Sequence, residues 1–88
     1  MRNEPGHRWH GSAVSINGPA LRHIRILTGL NASQLATEVE VTPDYIRKIE
    51  NGLARQVGPA LFARIATALR IDDRRVLLSD PWNESDVA

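Results

Sequence analysis

The amino-acid sequence predicts a single all-α domain of five short helices, with one short strand at its start. Three observations lead to this fold class. The chain has 88 residues, which suffices for one domain with one small core. From residue 19 to residue 78, apolar side chains recur at helical intervals, and helix-capping residues stand between the runs. No pair of alternating segments indicates a sheet of any size.

The chain divides into an arm, a domain and a tail. Residues 1–13 lack a helical period, so we interpret them as a flexible N-terminal arm. Residues 14–79 form the predicted domain, which opens on Val14-Ser15-Ile16, where apolar and polar residues alternate as in a short strand. Residues 80–88 hold acidic residues and no basic one, and we interpret them as an acidic C-terminal tail.

Asparagine and glycine delimit the first two helices. Asn17 and Pro19 suit the start of the first helix, and Gly29 suits its end. Asn31 suits the N-cap of the second helix, which ends near Val39. The apolar faces are expected to consist of Leu21, Ile24 and Leu27 in the first helix, and of Leu35, Ala36 and Val39 in the second.

A cap and a proline open the third helix as well. Thr42 caps it, Pro43 takes its first position, and Asn51-Gly52 ends it, with glycine free to adopt a positive φ. A polar loop over residues 53–58 leads to a fourth helix, from Pro59 to about Leu69. Asp72 or Asp73 then caps a fifth helix, which contains residues 76–78 and stops at Pro81.

Composition excludes several classes of protein. Apolar residues make up 42% of the chain and charged residues 24%, as in ordinary soluble domains. There is no cysteine, hence no disulfide framework and no thiolate zinc site. No apolar run is long enough to span a bilayer, and no Gly-rich phosphate loop or nucleophile–base–acid set is visible. We therefore expect a cytoplasmic protein that is not an enzyme and holds neither a cofactor nor a metal.

The net charge of +1 conceals an uneven distribution. Residues 19–75 carry a net charge of +3, residues 76–88 carry −3, and residues 1–18 carry +1. The acidic tail therefore offsets a mildly basic helical body. Ten of the eleven basic residues are arginine, which is typical of a GC-rich bacterium or its phage.

The second and third helices carry the informative pattern. Ala36 is small enough for two helices to cross closely, and Val41 fills the turn between them. Ile46 and Ile49 anchor the third helix on the rest of the domain. Its outer face is polar and consists of Asp44, Tyr45, Arg47, Lys48 and Asn51. An apolar anchor face with a hydrogen-bonding outer face is what a helix that reads a DNA groove requires.

These residues resemble a known family. LRHIRILTGLNASQLATEVEVTPDYIRKIENG, at residues 21–52, and ALFARIATALRIDDRRVLL, at residues 60–78, resemble Cro and phage-repressor type helix-turn-helix proteins, the XRE-like DNA-binding domains. The most specific part is Ile-Glu-Asn-Gly at residues 49–52. The resemblance implies a compact lambda-repressor-like domain. It also implies a sequence-specific regulator of transcription, a repressor or Cro-like switch of phage or bacterial origin, that binds a double-stranded operator as a homodimer.

The resemblance also implies a role for individual residues. Arg25 would pair with Glu50 and tie the first helix to the end of the recognition helix, at about residues 42–51. In the major groove we expect Thr42, Pro43, Asp44, Arg47 and Lys48. Near phosphates we expect Asn51 and Arg55, and also Asn31, Ser33 and Gln34, where the N-terminal amides of the second helix face the backbone. Tyr45 either contacts a thymine methyl group or sugar, or packs on the loop.

Three positions depart from the family pattern. Ala32 stands where the second helix usually has a glutamine that contacts phosphate, so that contact is absent. Glu40 replaces the usual glycine of the turn, and a left-handed residue with a side chain costs about 1–2 kcal/mol. Arg70 replaces a glycine often found between the fourth and fifth helices.

Other interpretations of the same residues remain open. The antitoxin of a toxin–antitoxin pair, or another protein-binding module, is the alternative function, with Trp82 in the tail as part of a partner-binding segment. His7 and His10 are spaced as metal ligands, but no carboxylate or cysteine completes a site, so a disordered arm is the preferred interpretation. The alternative is that Arg2, Arg8 and Trp9 let the arm lie along a DNA groove. The candidate dimer surfaces are residues 76–78 and residues 14–16.

Overall fold

The computed structural model describes residues 13–79. The predictions for the N-terminal arm before residue 13, with its two histidines, and for the acidic tail, with Pro81 and Trp82, lie outside the described residues. The elements follow in the order β1 (Val14–Ser15), α1 (Gly18–Thr28), α2 (Ala32–Val39), α3 (Pro43–Glu50), β2 (Gln56–Val57), α4 (Pro59–Ala68) and a 3-10 helix (Arg74–Leu77).

Four of the five predicted helices are present, but the prediction of a fifth α-helix was wrong. In its place stands the one-turn 3-10 helix, in which the Asp73 carboxylate accepts a hydrogen bond from the Arg75 N–H. The chain then turns into an extended conformation at Leu78, which forms an antiparallel bridge with Ile16. Pairing with the N-terminal segment therefore competes with the helix and ends it after four residues.

A small sheet, which the sequence did not indicate, joins the two ends of the described chain to the middle. β1 pairs antiparallel with β2 through Val14 opposite Val57 and Ser15 opposite Gln56. Since Leu78 pairs on the neighbouring Ile16, β1 lies between two partners. The predicted loop over residues 53–58 thus contains a strand. Two residues are too short to show a period of two, so pattern alone could not find it.

One cluster of buried side chains forms the core, contributed by every element. It consists of Val14, Ile16, Leu21, Leu35, Ala36, Val39, Ile46, Ile49, Val57, Leu61, Phe62, Ile65, Ala66, Leu69, Leu77 and Leu78. Leu27 was predicted on the buried face of α1, but it is 73% exposed. The buried positions of α1 are Gly18, Leu21 and Arg25, so a charged residue occupies the core-facing stripe there.

The surfaces predicted for dimer formation lie mostly inside the monomer. Val14, Ile16, Leu77 and Leu78 are all buried in the core of their own chain. They are occupied by β1 pairing with β2 and by the bridge to Leu78. Of the apolar residues in the two candidate surfaces, Val76 alone remains substantially exposed, at 49%.

All four α-helices end in the same kind of turn. A left-handed residue follows each helix, and the residue after it donates a hydrogen bond back to the last helical turn, as in a Schellman motif. The left-handed residues are Gly29, Glu40, Gly52 and Arg70, with φ of 89°, 65°, 82° and 58°. After α1, α2 and α4 the next residue, Leu30, Val41 or Ile71, is partly buried against the core. The departures at Glu40 and Arg70 thus leave the backbone turn unchanged.

We expect Glu40→Gly to raise the free energy of unfolding by about 1 kcal/mol, because glycine lacks the Cβ that strains a left-handed residue. Urea denaturation followed by circular dichroism measures the change. Glu38→Gly is the matched control. Glu38 is exposed within α2, where glycine should lower the stability by about 1 kcal/mol. A Glu40→Gly variant as unstable as the control would contradict strain at Glu40.

Candidate nucleic-acid interface

α3 has one buried face and one exposed face. Its N-terminus is fixed by Thr42, whose Oγ1 accepts a hydrogen bond of 3.1 Å from the Tyr45 N–H, and by Pro43 in the first turn. Ile46, Ile49 and Glu50 are buried, as the sequence predicted for the two isoleucines. Asp44, Arg47, Lys48 and Asn51 are all exposed, and their spacing places them along one face of the helix.

The exposed face of α3 combines cations with one carboxylate. Lys48 Nζ lies 3.4 Å from Asp44 Oδ2, an i,i+4 pair in which both side chains are more than half exposed. Such a pair is worth at most about 0.5 kcal/mol, so it restricts the two side chains only weakly. Arg47 is exposed beside them. The face is therefore basic and able to rearrange around a ligand.

The start of α2 offers hydrogen-bond donors. Asn31 and Gln34 form a capping box, in which each side-chain oxygen accepts from the other residue's backbone N–H at 2.8 Å. Because the oxygens are engaged, the two amide nitrogens are oriented as donors. The N–H groups of Ala32 and Ser33 lie in the first turn, where a helix has no acceptor of its own. Ala32, where the family pattern has a glutamine, packs partly against the core.

The segment after α3 is held in place by the backbone. Lys48 O accepts hydrogen bonds from the N–H groups of Leu53 and Ala54, at 2.9 and 3.1 Å. On the other side, the Ile16 N–H donates to Arg55 O at 3.0 Å, and Arg55 Nε donates to Gly52 O at 3.1 Å. The guanidinium of Arg55 is exposed on this fixed segment. The positioning of Arg55 by β1 is a feature that the sequence analysis missed.

A buried ion pair joins α1 to the end of α3, as the family resemblance implied. Arg25 Nε and Nη2 donate to the two carboxylate oxygens of Glu50, at 2.6 and 3.1 Å. Arg25 Nη1 also donates to Leu30 O at 2.8 Å, in the turn before α2. The side chains are only 11% and 5% exposed. Hydrogen bonding to Glu50 raises the pKa of the Arg25 guanidinium.

Tyr45 differs from the other predicted contact residues. Its side chain is half-buried and packs against the hydrophobic core, and Pro43 is also half-buried. Of the two interpretations left open for Tyr45, packing within the domain accounts for part of the ring. The other nine predicted residues are exposed; they are Asn31, Ser33, Gln34, Thr42, Asp44, Arg47, Lys48, Asn51 and Arg55.

The chain belongs to a helix-turn-helix domain family, whose model matches residues 18–78 and which lies within the XRE/Cro-like group of helix-turn-helix domains. The match covers α1 through Leu78, and thus the helix pair, the buried Arg25–Glu50 pair and α4. No curated protein and no solved structure matches the chain. A helix-turn-helix domain of this kind indicates a DNA-binding regulator.

Over residues 13–79, no helix has the length and apolar character needed to cross a membrane. The same residues contain no cluster of three or more His, Cys, Asp or Glu side chains arranged to hold a metal ion.

We expect Arg25→Met to lower the free energy of unfolding by about 3–5 kcal/mol, because it leaves the Glu50 carboxylate buried without a partner. Thermal and urea denaturation measure the loss. The matched control is Lys48→Met, which breaks the exposed pair with Asp44 and should change stability by less than about 1 kcal/mol. Similar losses in both variants would show that burial of the Arg25–Glu50 pair has no special weight.

Proposed function

We propose that the protein is a sequence-specific regulator of transcription, a repressor or Cro-like switch, and that residues 42–51 form its recognition helix in the major groove of DNA. One observation carries the proposal. The exposed face of α3 presents Asp44, Arg47, Lys48 and Asn51 as a polar stripe on a helix whose other face is anchored in the core. A major groove admits one α-helix, and such a stripe meets the base edges.

Direct reading of bases falls to the first two turns of the recognition helix. Arg47 and Lys48 would donate to O6 and N7 of guanine, and Asp44 would accept from the amino group of cytosine. Because the Asp44–Lys48 ion pair is exposed and weak, it can open at little cost. Each side chain could then form hydrogen bonds with a base instead. Thr42 and Pro43 begin the helix at its groove-facing end.

Phosphate contacts come from the elements on either side. The donors of Asn31, Ser33 and Gln34 at the start of α2 would bind one phosphate, helped by the free amides of the first turn. Asn51 and Arg55, on the fixed segment after α3, would bind another. These contacts set the register of the recognition helix on the duplex without reading sequence themselves.

Regulation would follow from occupancy of an operator that excludes polymerase. The charge of the described domain is only modestly positive, so non-specific affinity for phosphates is expected to be weak. A homodimer on a pseudo-palindrome, with half-sites about 34 Å apart, would supply the affinity that one domain lacks. With residues 14–16 and 77–78 buried in the monomer, the dimer would use a surface other than those segments.

Selection of bound sites from random duplex DNA tests the proposal as a whole. We expect an enriched motif with two inverted half-sites, one helical turn apart, and a sedimentation coefficient on that duplex that fits two chains. A single enriched half-site, bound by one chain, would contradict the dimer but not the recognition helix. No enrichment over several rounds would contradict sequence-specific binding.

Alanine substitutions then separate base contacts from phosphate contacts. Arg47→Ala and Lys48→Ala should weaken binding to the selected site by about 1–3 kcal/mol each and non-specific binding less. Arg55→Ala should weaken both and reduce the slope of log affinity against log salt by about one unit. Arg74→Ala, an exposed arginine outside the proposed contacts, is the charge control. Unchanged affinity in all three test variants would show that the recognition helix is wrongly assigned.

A further inference from the structure

Gly18 lies where the backbone of α1 packs directly against the backbone at the end of α3. It is the first residue of α1 and is buried against the last two carbonyl groups of α3. A Cβ at this position would overlap the carbonyl oxygen of Ile49 and lie 2.8 Å from that of Glu50. Both obstacles are backbone atoms, so no side-chain rotation relieves the overlap. A hydrogen fits there, aimed at a carbonyl oxygen, as in the weak contacts common between closely packed helices.

The same face of α1 holds Glu50 in a second way. Arg25 lies seven residues after Gly18, two turns along the buried stripe, and binds the Glu50 carboxylate through two hydrogen bonds. Glu50 is therefore contacted by α1 at its backbone and at its side chain. The C-terminal end of α3 is held at this junction, and the segment from Asn51 to Arg55 continues from that end and is bonded back to Lys48 O.

We infer that Gly18 is a positioning residue for sequence recognition, an inference that rests on the function proposed above. Replacing its hydrogen by a methyl group forces α1 and the end of α3 apart by on the order of 1 Å. The overlap is with backbone atoms, so it can be relieved only by a shift of one helix relative to the other. Hydrogen bonds to base edges form over a narrow range of distances and fail after such a shift. Phosphate attraction acts over longer distances and through flexible side chains, so it survives.

The chain supplies a matched control for a glycine-to-alanine change. Gly29 ends α1 with a φ of 89°, and a Cβ there would meet no atom within 4 Å. Gly29→Ala therefore strains the backbone without touching α3. Gly18→Ala and Gly29→Ala both lower stability, but only the first displaces the recognition helix.

The experiment compares both variants with the unsubstituted full chain. Affinity is measured for the duplex enriched from random DNA and for an unrelated duplex of equal length, at one salt concentration. We expect Gly18→Ala to lose about ten- to a hundredfold affinity for the enriched duplex, the worth of one or two base contacts, and less than about threefold for the unrelated one. Gly29→Ala should leave the ratio of the two affinities within about threefold of the unsubstituted value.

A measurement without DNA separates this inference from the proposed function. In amide NMR spectra of the free protein, Gly18→Ala should shift the resonances of residues 44–55, and Gly29→Ala should not. If the unsubstituted chain enriches no DNA sequence, the proposed function fails, while these spectra still decide whether Gly18 positions α3. Unmoved α3 resonances, or equal loss of affinity on both duplexes, would overturn the positioning role.

If Gly18→Ala is unfolded at 25 °C, the measurements are repeated at 10 °C with trimethylamine N-oxide, which favours the folded state. A variant still unfolded there would overturn the inference in favour of a purely structural role.

Discussion

The contact between α1 and the end of α3 is the constraint on which the rest of the domain depends. The guanidinium of Arg25 serves three elements at once, since it binds Glu50 of α3 and the carbonyl oxygen of Leu30 before α2 while belonging to α1. Burial makes this arrangement costly to break, because either partner alone would be a desolvated charge. Gly18 lets the backbones meet at the same place. The chain has no cysteine, so no disulfide can join α1 to α3, and these non-covalent contacts hold the two helices together.

α3, the proposed recognition helix, is stable only in the context of the rest of the domain. α3 has eight residues, and an isolated helix of that length is not stable in water. Its cap at Thr42, its two buried isoleucines and its tie at Glu50 fix it at the start, along one side and at the end. The residues on the exposed side do not pack against the rest of the domain. A helix that is rigidly held and carries only one weak ion pair on its exposed face is suited to binding, because little order remains to be imposed when a ligand arrives.

The turns show how a local penalty is tolerated. Glu40 and Arg70 adopt the left-handed conformation that glycine adopts at Gly29, and each is followed by an apolar residue that packs on the core. The hydrogen bonds of Val41 to Ala36 O and of Ile71 to Ala66 O complete these turns. Burial of the apolar residue and satisfaction of the last carbonyl groups offset the strain. The side chains of Glu40 and Arg70 remain exposed, where they leave the turn geometry unaffected.

Local chemistry in the sequence determined the starts of the first three helices, because Asn17, Asn31 and Thr42 each accept a hydrogen bond from an amide three positions ahead. The fourth helix has no side-chain cap and starts at Pro59, a residue suited to a first helical position. Local chemistry also determined the polar stripe on α3, since helical spacing alone places those residues on one face. Only the tertiary structure decided the rest. The sheet between residues 14–16, 56–57 and 78 joins segments far apart in the chain, and strands of two residues carry no periodic signal. From the sequence, Leu27 was also assigned to the core and Gly18 was overlooked. Which side of α1 is buried depends on where α3 lies, and the sequence of α1 alone does not contain that information.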